Sequence, residues 1–263
     1  MRTQRWWIGL LGLLAVSATL TVQAADRKLL IVGEAWAPFE FEDNGQVVGI
    51  DVDIVRHIFT KMGIDFEMRI MPWSRAWSMA ESGQADAVFS TSRKDDRLPH
   101  LLYPQEDMWT SEYVFFVRRD RKQQHFAGYP DVQAQRLQVG VIRDNTYNEA
   151  FWQAFPKSPE GKRHSLLQAA RNAESNFKKL ARGRIDLYIL DKTIGLYTVG
   201  KMKLHNELDY YATALFTKGY PMPFVRKSTY PNLPMIAAQF EQELIALKAS
   251  GTYDTIREKW FRE

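Results

Sequence analysis

The amino-acid sequence predicts an α/β protein built from two lobes, and a repeated unit is the first reason. Residues 81–97 read ESGQADAVFSTSRKDDR, in which a glycine ends a helix, an acid and a short apolar strand follow, and the loop finishes on Arg97. Residues 180–191, LARGRIDLYILD, repeat the glycine, the acid and the strand, and finish on Asp191. The second reason is length, because about 240 residues remain after an N-terminal export segment and suffice for two α/β cores.

The two units end on opposite charges. Ser90, Thr91 and Ser92 place neutral hydrogen-bonding groups where open α/β sheets bind ligands, and the planar guanidinium of Arg97 matches a carboxylate. Asp191 ends the second unit with an anion. A cation on one lobe and an anion on the other predict a site for a small zwitterion between them.

The N-terminus has the layout of a secretory signal peptide. Arg2 and Arg5 precede an uncharged run, and VQA at 22–24 is a small-residue cleavage site, so the mature chain is predicted to begin at Ala25. A membrane anchor is the alternative, for which this run is short. Cysteine is absent, which excludes a lipid anchor on cysteine and disulfide bonds.

Composition argues against nucleic acid, metal ions and nucleotides as partners. The formal charge is +4, and removing Arg2 and Arg5 with a segment that has no acid leaves +2. Basic residues are scattered among acids, so no nucleic-acid partner is expected. The five histidines are far apart and show no paired ligand spacing, and there is no glycine-rich phosphate loop, so neither a metal nor a cofactor is predicted.

The first lobe is predicted to begin with a strand and an aromatic loop. The strand KLLIVG, at 28–33, runs into EAWAPFEF at 34–41, which is rich in rings and held by Pro38. Large rings on a loop that leaves a strand are typical of a binding wall, so Trp36 is predicted to belong to the site. Phe39 is either a second wall residue or a core residue.

The spacing of apolar residues, and a glycine at the end of a helix, predict the next elements of the first lobe. Apolar residues at helical spacing predict a helix at 51–62, and a strand follows at 66–70. MPWSRAW at 71–77 starts the helix that leads to Gly83. Trp73 stands at its beginning, where it faces the predicted cleft.

The second lobe is predicted between two crossings of the chain. EYVFFVR at 112–118 is the first crossing, and LQVGVI at 137–142 is the first strand beyond it. Asp144, Asn145 or Thr146 is expected to cap the next helix, whose free backbone N–H groups suit an anion. The remaining predicted elements are a helix at 173–181, a returning strand at 210–216, and helices at 236–247 and 253–261. The predicted division is a signal peptide at 1–24, lobe one at 25–117 and 215–263, and lobe two at 118–214.

Five stretches, in this order, resemble the family-3 extracellular solute-binding proteins, the periplasmic receptors of polar amino-acid ABC transporters. They are WAPFEFEDNGQVVGIDVDIV, ESGQADAVF with Arg97, VGVIRDNTY, GRIDLYILD and ASGTYDTIREKWF. The resemblance covers essentially the whole mature chain. It implies a type II periplasmic binding protein fold whose cleft closes on an amino acid, and a periplasmic monomer that docks on an inner-membrane ABC permease.

The resemblance also assigns roles to residues of this chain. It implies that Trp36 stacks on the ligand with Trp73 opposite, that Ser90 and Thr91 supply hydroxyl and backbone donors, and that Arg97 binds the carboxylate. Thr146 would be a second carboxylate contact and Asp191 the acceptor of the α-ammonium. Further candidates are Glu34, Phe39, Arg75, Ser92, Arg93 and Asn145.

Two departures from the family pattern leave alternatives open. The loop between Phe89 and Arg97 is one residue shorter than usual, so Arg93 or Arg75 is an alternative carboxylate anchor. The second-lobe loop reads Asp-Asn-Thr at 144–146 where Gly-Thr-Thr is usual, and the added acid bears on selectivity.

Other functions remain to be compared with amino-acid binding. A cyclohexadienyl dehydratase-like enzyme would need a general acid in the cleft, for which Glu34 is the one candidate. A receptor for polyamines or other amines is a second alternative, because Trp36 and Trp73 suit a flat or cationic group and Glu34 would pair with it. A sensor domain would normally continue into a transmembrane helix. No enzymatic activity is expected.

Overall fold

The computed structural model describes residues 27–261 except Asp144 and Thr146. The predicted signal peptide at 1–24 and the predicted contact at Thr146 therefore lie outside the described residues. The strands are β1 (Leu29–Gly33), β2 (Phe41–Asp43), β3 (Gln46–Val48), β4 (Phe66–Ile70), β5 (Ala87–Val88), β6 (Leu101–Leu102), β7 (Trp109–Arg118), β8 (Val139–Ile142), β9 (Leu167–Ala170), β10 (Leu187–Asp191), β11 (Leu208–Tyr210), β12 (Phe216–Tyr220) and β13 (Phe224–Val225). The α-helices are α1 (Ile50–Met62), α2 (Trp73–Ser82), α3 (Tyr129–Ala134), α4 (Glu149–Ala154), α5 (Ala173–Ala181), α6 (Lys192–Lys201), α7 (Leu233–Ala249) and α8 (Thr252–Glu258).

The first sheet has the strand order β4-β1-β5-β13-β6. β1 runs parallel to β4 and β5, whereas β13, from far along the chain, joins antiparallel to β5 and β6. Alternate residues of β1 enter two cores, because side chains of a strand point to opposite faces. Leu29 and Ile31 pack with α1 and α7, and Leu30 and Val32 pack with α2.

The second sheet has the order β11-β7-β10-β8-β9, and β12 also pairs with β7. The long strand β7 shows the same alternation. Phe115 and Val117 face a core with α3 and α4, whereas Val114 and Phe116 face α5 and α6. Two sheets, each with helices on both faces, give two lobes, so the predicted α/β fold class is confirmed.

The chain passes between the sheets beside the ladder of β7 and β12. These strands are antiparallel with Trp109 opposite Tyr220, and both rings belong to the core of the first lobe. The second sheet thus takes in all of 109–118 and 216–220. The predicted division after 117 and 214 stays a prediction, but the single returning strand at 210–216 is wrong. Residues 211–215 lie between β11 and β12, both of which pair with β7.

Most other predicted elements are present within a few residues of their expected bounds, including α1, β4 and α5. The expected cap at 144–146 is wrong, because α4 begins at Glu149 and the side chain of Asn148 accepts a hydrogen bond from the backbone N–H of Phe151. Helix α6 and the β2–β3 hairpin were not predicted. Within the part of the chain that the structure describes, no helix has the length and apolar character needed to cross a bilayer.

Candidate ligand-binding site

A cavity of about 340 Å³ lies where the parallel strands of the first sheet end. The loops after β1 and β5, the start of α2 and strand β12 contribute its walls. The lining residues are Gly33, Glu34, Trp36, Glu40, Trp73, Phe89, Ser90, Thr91, Ser92, Lys94, Arg97, Lys218 and Tyr220. Ligands of open α/β sheets bind at this edge, and most of the predicted site residues meet here.

Backbone hydrogen bonds fix the loop after β1. The N–H of Trp36 donates to the carbonyl of Glu40 at 2.6 Å, and the N–H of Phe39 donates to the carbonyl of Trp36 at 2.8 Å. The start of α1 then closes on the loop, where a Cβ on Gly49 would lie 2.0 Å from the carbonyl oxygen of Phe39. Only glycine permits that approach at a φ of 142°, so the sequence GID at 49–51 holds the aromatic loop in place.

Four aromatic rings support the floor of the cavity. Trp36 makes edge contacts with Phe39, Trp109 and Tyr220 at centroid distances of 5.8, 5.3 and 4.9 Å. Trp109 stacks between Phe39 and Tyr220 at 3.6 and 4.3 Å. Phe39 is fully buried in the core, so of its two predicted roles the structure gives the core role. Trp36 stays partly open to the cavity.

Arg97 lies against the wall formed by the start of α2. Its guanidinium carbon is 4.9 Å from the centroid of the Trp73 ring, and its Nη1 donates to the carbonyl of Ser92 at 3.1 Å. The Trp73 ring therefore supports one face of the planar guanidinium of Arg97. The N–H groups of the guanidinium can still bind a carboxylate. Burial raises the pKa of Glu34 above its usual range, and the nearby Arg97 charge acts against that rise.

The two alternative arginines do not line this cavity. Arg93 donates to the carboxylate of Asp107 at 2.8 Å and to the carbonyls of Pro104 and Gln105 at 2.6 and 2.9 Å, so its guanidinium is held elsewhere. Arg75 is exposed on α2. Arg97 is the arginine that the described residues place in the cavity.

The hydroxyl-rich strand end is buried, and several of its groups already have protein partners. The hydroxyl of Ser90 donates to the carboxylate of Asp51, and the N–H of Thr91 donates to the carbonyl of Pro221 at 2.9 Å. The hydroxyl of Thr91 donates to the carbonyl of Phe89 at 2.7 Å. Ser92 accepts from Arg97 through its carbonyl. These residues shape the wall, and their predicted contacts with a ligand remain predictions.

Two buried carboxyl groups belong to this region, because Glu40 lines the cavity and Asp51 accepts a hydrogen bond from the lining residue Ser90. Asp51 is fully buried, and burial raises its pKa to about 6 against hydrogen bonds from Ser90 and from the indole of Trp109 at 3.1 Å. Glu40 is 2% exposed, and burial, with the charges of Asp51 and Glu34, raises its pKa well above the usual range. The sequence assigned Asp51 to a helix start and gave Glu40 no role, although Glu40 stands in the aromatic loop.

Two lysines of the cavity were also missed. Lys94 follows the serine-rich strand end, and Lys218 lies on β12 with its Nζ 5.0 Å from the Tyr220 ring centroid. Burial, together with the charges of Lys94 and Arg97, lowers the pKa of Lys218. The cavity therefore gathers three cations and two acids, which suits a ligand that carries an anionic and a cationic group.

The second-lobe residues of the predicted site lie apart from this cavity. Asp191 is 1% exposed and ends β10, where it caps α6 by accepting from the N–H of Ile194 at 2.9 Å. It also accepts from the hydroxyl of Ser111 at 2.7 Å and the N–H of Glu112 at 3.2 Å. Asn145 lines a second cavity, beside Tyr147. Among the described residues no group of three or more acidic, histidine or cysteine side chains is placed to hold a metal ion.

Comparisons with known protein sequences agree on one family. The sequence profile of the bacterial extracellular solute-binding proteins, family 3, matches residues 30–263. An arginine-binding periplasmic protein of Mannheimia haemolytica is 22% identical over 249 residues, covering 94% of this chain and 95% of that protein.

Solved structures show the same fold. An ancestral cationic amino acid solute-binding protein superposes with a TM-score of 0.72 at 20% identity, over 89% of this chain and 96% of that one. An ancestral amino acid-binding protein described as a precursor of cyclohexadienyl dehydratase has a TM-score of 0.62 at 20% identity, over 89% and 95%. These neighbours confirm the predicted type II periplasmic binding protein fold.

Proposed function

Because the chain belongs to the bacterial extracellular solute-binding proteins of family 3, we propose that it captures a small zwitterionic amino acid by closing two lobes on it. The observation that carries this proposal is Arg97, held over Trp73 at the edge of the first sheet with its fork available to a carboxylate. Bidentate binding of a carboxylate is what a guanidinium does best. Trp36 and Trp73 flank the same cavity and contact the rest of the ligand.

The proposed location and partner follow from the family. Relatives include periplasmic binding proteins, so we place the mature chain in the periplasm, where it delivers its amino acid to an inner-membrane ABC permease as a monomer. Removal of the segment before Ala25 is part of this proposal. An intact mass that retains the first 24 residues in the periplasmic fraction would contradict it.

A thermal-shift screen tests the ligand class. The protein is mixed separately with each of the twenty common L-amino acids, and with putrescine and spermidine. A ligand that binds only the native state stabilises it by about 2.7 kcal/mol at a hundredfold excess over Kd. We expect at least one amino acid to raise the melting temperature and both polyamines to leave it unchanged. A rise with the polyamines alone would instead make the chain an amine receptor.

Binding rather than catalysis is part of the proposal. The enzyme alternative keeps one specific observation in its favour, since Glu34 and Glu40 are carboxyl groups with raised pKa values in the cavity, as a general acid requires. Incubation with prephenate-like acids separates the two functions. We expect no turnover, and formation of an aromatic product would establish a dehydratase.

A further inference from the structure

Positive charge exceeds negative charge around the candidate cavity. Three cations, Lys94, Arg97 and Lys218, line it together with the two acids Glu34 and Glu40. Burial raises the pKa of both glutamates, and neighbouring acids raise that of Glu40 further, so the two acids offset the cations incompletely. The empty cavity is therefore electropositive and favours a ligand that brings negative charge.

The strand that carries Lys218 directs its side chain into the cavity. Strand β12 pairs with β7, and alternate residues of a strand point to opposite faces. Lys218 and Tyr220 share the face that lines the cavity, with the Nζ of Lys218 5.0 Å from the centroid of the Tyr220 ring. Gly219 points the other way, because a Cβ there would meet the carboxylate of Asp107, and that carboxylate bonds to Arg93. The acid nearest to β12 is therefore on the face opposite Lys218.

Neither lysine of the cavity has an acid for a partner. Five other lysines of the described residues form ion pairs with carboxylates, whereas Lys94 and Lys218 form none. Burial lowers the pKa of the half-buried Lys218, and the charges of Lys94 and Arg97 lower it further. Like charges in a partly desolvated site repel one another, and an anion placed among them removes that repulsion. The two lysines therefore indicate an anionic group of the ligand.

This anionic group is additional to the α-carboxylate. The predicted roles assign the α-carboxylate to Arg97 and the α-ammonium to Asp191. Burial, followed by the charges of Tyr113 and Asp191, raises the pKa of Tyr220, so Asp191 acts on the cavity from the second lobe. With both α-groups assigned, the lysines are left for the side chain of the ligand. A lysine ammonium is a compact charge with three rotatable donors, which suits a carboxylate or a phosphate in several orientations.

We propose that the captured amino acid has an anionic side chain, and that Lys218 binds this anion together with Lys94. The inference rests on the proposed function and names the substrate class of the same site. The roles predicted for Arg97 and Asp191 are unchanged. Amino acids with a cationic side chain are disfavoured by the same charges, because a positive group beside the two lysines is repelled.

Calorimetry with matched ligands measures the preference for an anionic side chain. L-Aspartate, L-glutamate and O-phospho-L-serine carry one, and L-asparagine, L-glutamine and L-serine are their uncharged counterparts. Each is titrated into the wild-type protein at pH 7, with L-arginine and L-lysine as cationic probes. We expect at least one anionic amino acid to bind at least about thirtyfold more tightly than its counterpart. The cationic probes should bind no more tightly than the uncharged amino acids.

Variants of the two lysines assign that preference to them. Lys218→Met removes the charge and keeps the length of the side chain. It should raise the Kd of the anionic amino acid at least about tenfold and leave that of the uncharged counterpart within about threefold, which a general loss of packing would not do. Lys94→Met should act in the same direction with a smaller effect, because Lys94 is exposed to solvent. Lys218→Arg retains a positive charge and should retain the preference.

Lys248→Met is the matched control. Lys248 also lies over a tyrosine ring, with its Nζ 5.3 Å from the centroid of Tyr253, but it bonds to Glu106 and does not line the cavity. This variant should leave the Kd values of the anionic amino acid and its counterpart unchanged. A loss of the preference in Lys248→Met as large as that in Lys218→Met would contradict a contact specific to Lys218.

The outcomes separate this inference from the proposed function. If no amino acid binds the wild type, the proposed function fails and the inference fails with it. If an amino acid binds but no anionic one binds more tightly than its uncharged counterpart, the inference alone is wrong. A preference for the anionic side chain that persists when Lys94→Met and Lys218→Met are combined would also overturn it, since other residues would then bind the anion.

Discussion

Arg97, the proposed carboxylate anchor, is already held in place by its neighbours. A guanidinium lying 4.9 Å from the Trp73 ring centroid and bonded to the carbonyl of Ser92 has lost much of its freedom before any ligand arrives. Binding then orders the side chain of Arg97 very little further. Because less entropy is lost on binding, more of the ion-pair energy contributes to affinity. The second ring of α2, Trp77, supports it at 5.8 Å.

Arg97→Ala should abolish tight binding while the fold persists. Removing one partner of a desolvated, charge-assisted pair costs roughly 2–5 kcal/mol of binding, which is about thirtyfold to several thousandfold in Kd. Calorimetry with the amino acid that gives the largest thermal shift measures it. Arg75→Ala, on the exposed face of the same α2 wall, is the matched control and should bind like the wild type. Affinity of Arg97→Ala within threefold of the wild type would place the carboxylate anchor elsewhere.

Asp51 predicts how the stability of the empty protein depends on pH. Its pKa rises from 3.8 to about 6 on folding because the carboxyl is buried, so the folded state binds its proton more tightly than the unfolded state. The contribution of Asp51 to the free energy of unfolding is therefore fully present below about pH 4. It is lost as pH rises towards 6, and the loss is about 3 kcal/mol in all. Urea unfolding of the wild type and Asp51→Asn between pH 4 and 7 isolates this contribution. The two stabilities should diverge in the variant's favour as pH rises, and parallel profiles would refute the assignment.

The predicted residues that line the cavity share one property. Trp36, Ser90 and Arg97 follow the ends of strands that become parallel neighbours, so the order of elements alone brings them together. Glu40 and Lys218 were missed for different reasons. A glutamate in a loop looks solvated until burial is known, and Lys218 enters the cavity through the pairing of β12 with β7, about a hundred residues away along the chain.

Helix α6 was not predicted from the sequence, and contacts with other elements explain its position. The helix has little separation of polar and apolar faces in its sequence, KTIGLYTVGK, so no helical periodicity marks it. Its order comes from the cap at Asp191 and from close packing on β7. A Cβ on Gly195 would lie 2.0 Å from the ring of Phe116, which is itself buried.

Two glycines of α6 give a matched test of that packing. Gly195→Ala forces the helix or the Phe116 ring to move and should cost about 1–3 kcal/mol of stability. Gly200→Ala, on the same helix with no heavy atom within 4 Å of the added methyl group, should be neutral or stabilising by up to about 1 kcal/mol. Thermal and urea unfolding of both variants provide the comparison. Equal stability of the two would show that α6 does not pack tightly on β7.

The misplaced strand at 210–216 has a related cause. A run of β-forming residues predicts a strand, but the partner decides where it starts and stops. Strand β7 takes β11 and then β12 along the same edge, with the residues between them out of the ladder. The sequence contains no local signal for that interruption.

For the whole molecule, the crossing between lobes and the candidate site share residues. Trp109 and Tyr220 are paired at the crossing, stack at 4.3 Å and belong to the first core, and Tyr220 also lines the cavity. A second contact links the lobes where Arg257 of α8 donates to the hydroxyl of Thr193 at 3.4 Å. A ligand that touches Tyr220 therefore acts at the point where the lobes are joined, and only a ligand with higher affinity for the closed form can shift the equilibrium towards it.

Small-angle X-ray scattering tests most directly whether binding of a zwitterion and closure are one event. The wild-type protein is measured empty, with the amino acid that stabilises it most, with the decarboxylated amine of that amino acid and with its deaminated acid. The account predicts that the radius of gyration falls with the amino acid and stays near the empty value with the other two, because each lacks one of the two charges. Compaction by the amine as large as that by the amino acid would contradict it and would favour a polyamine-type receptor.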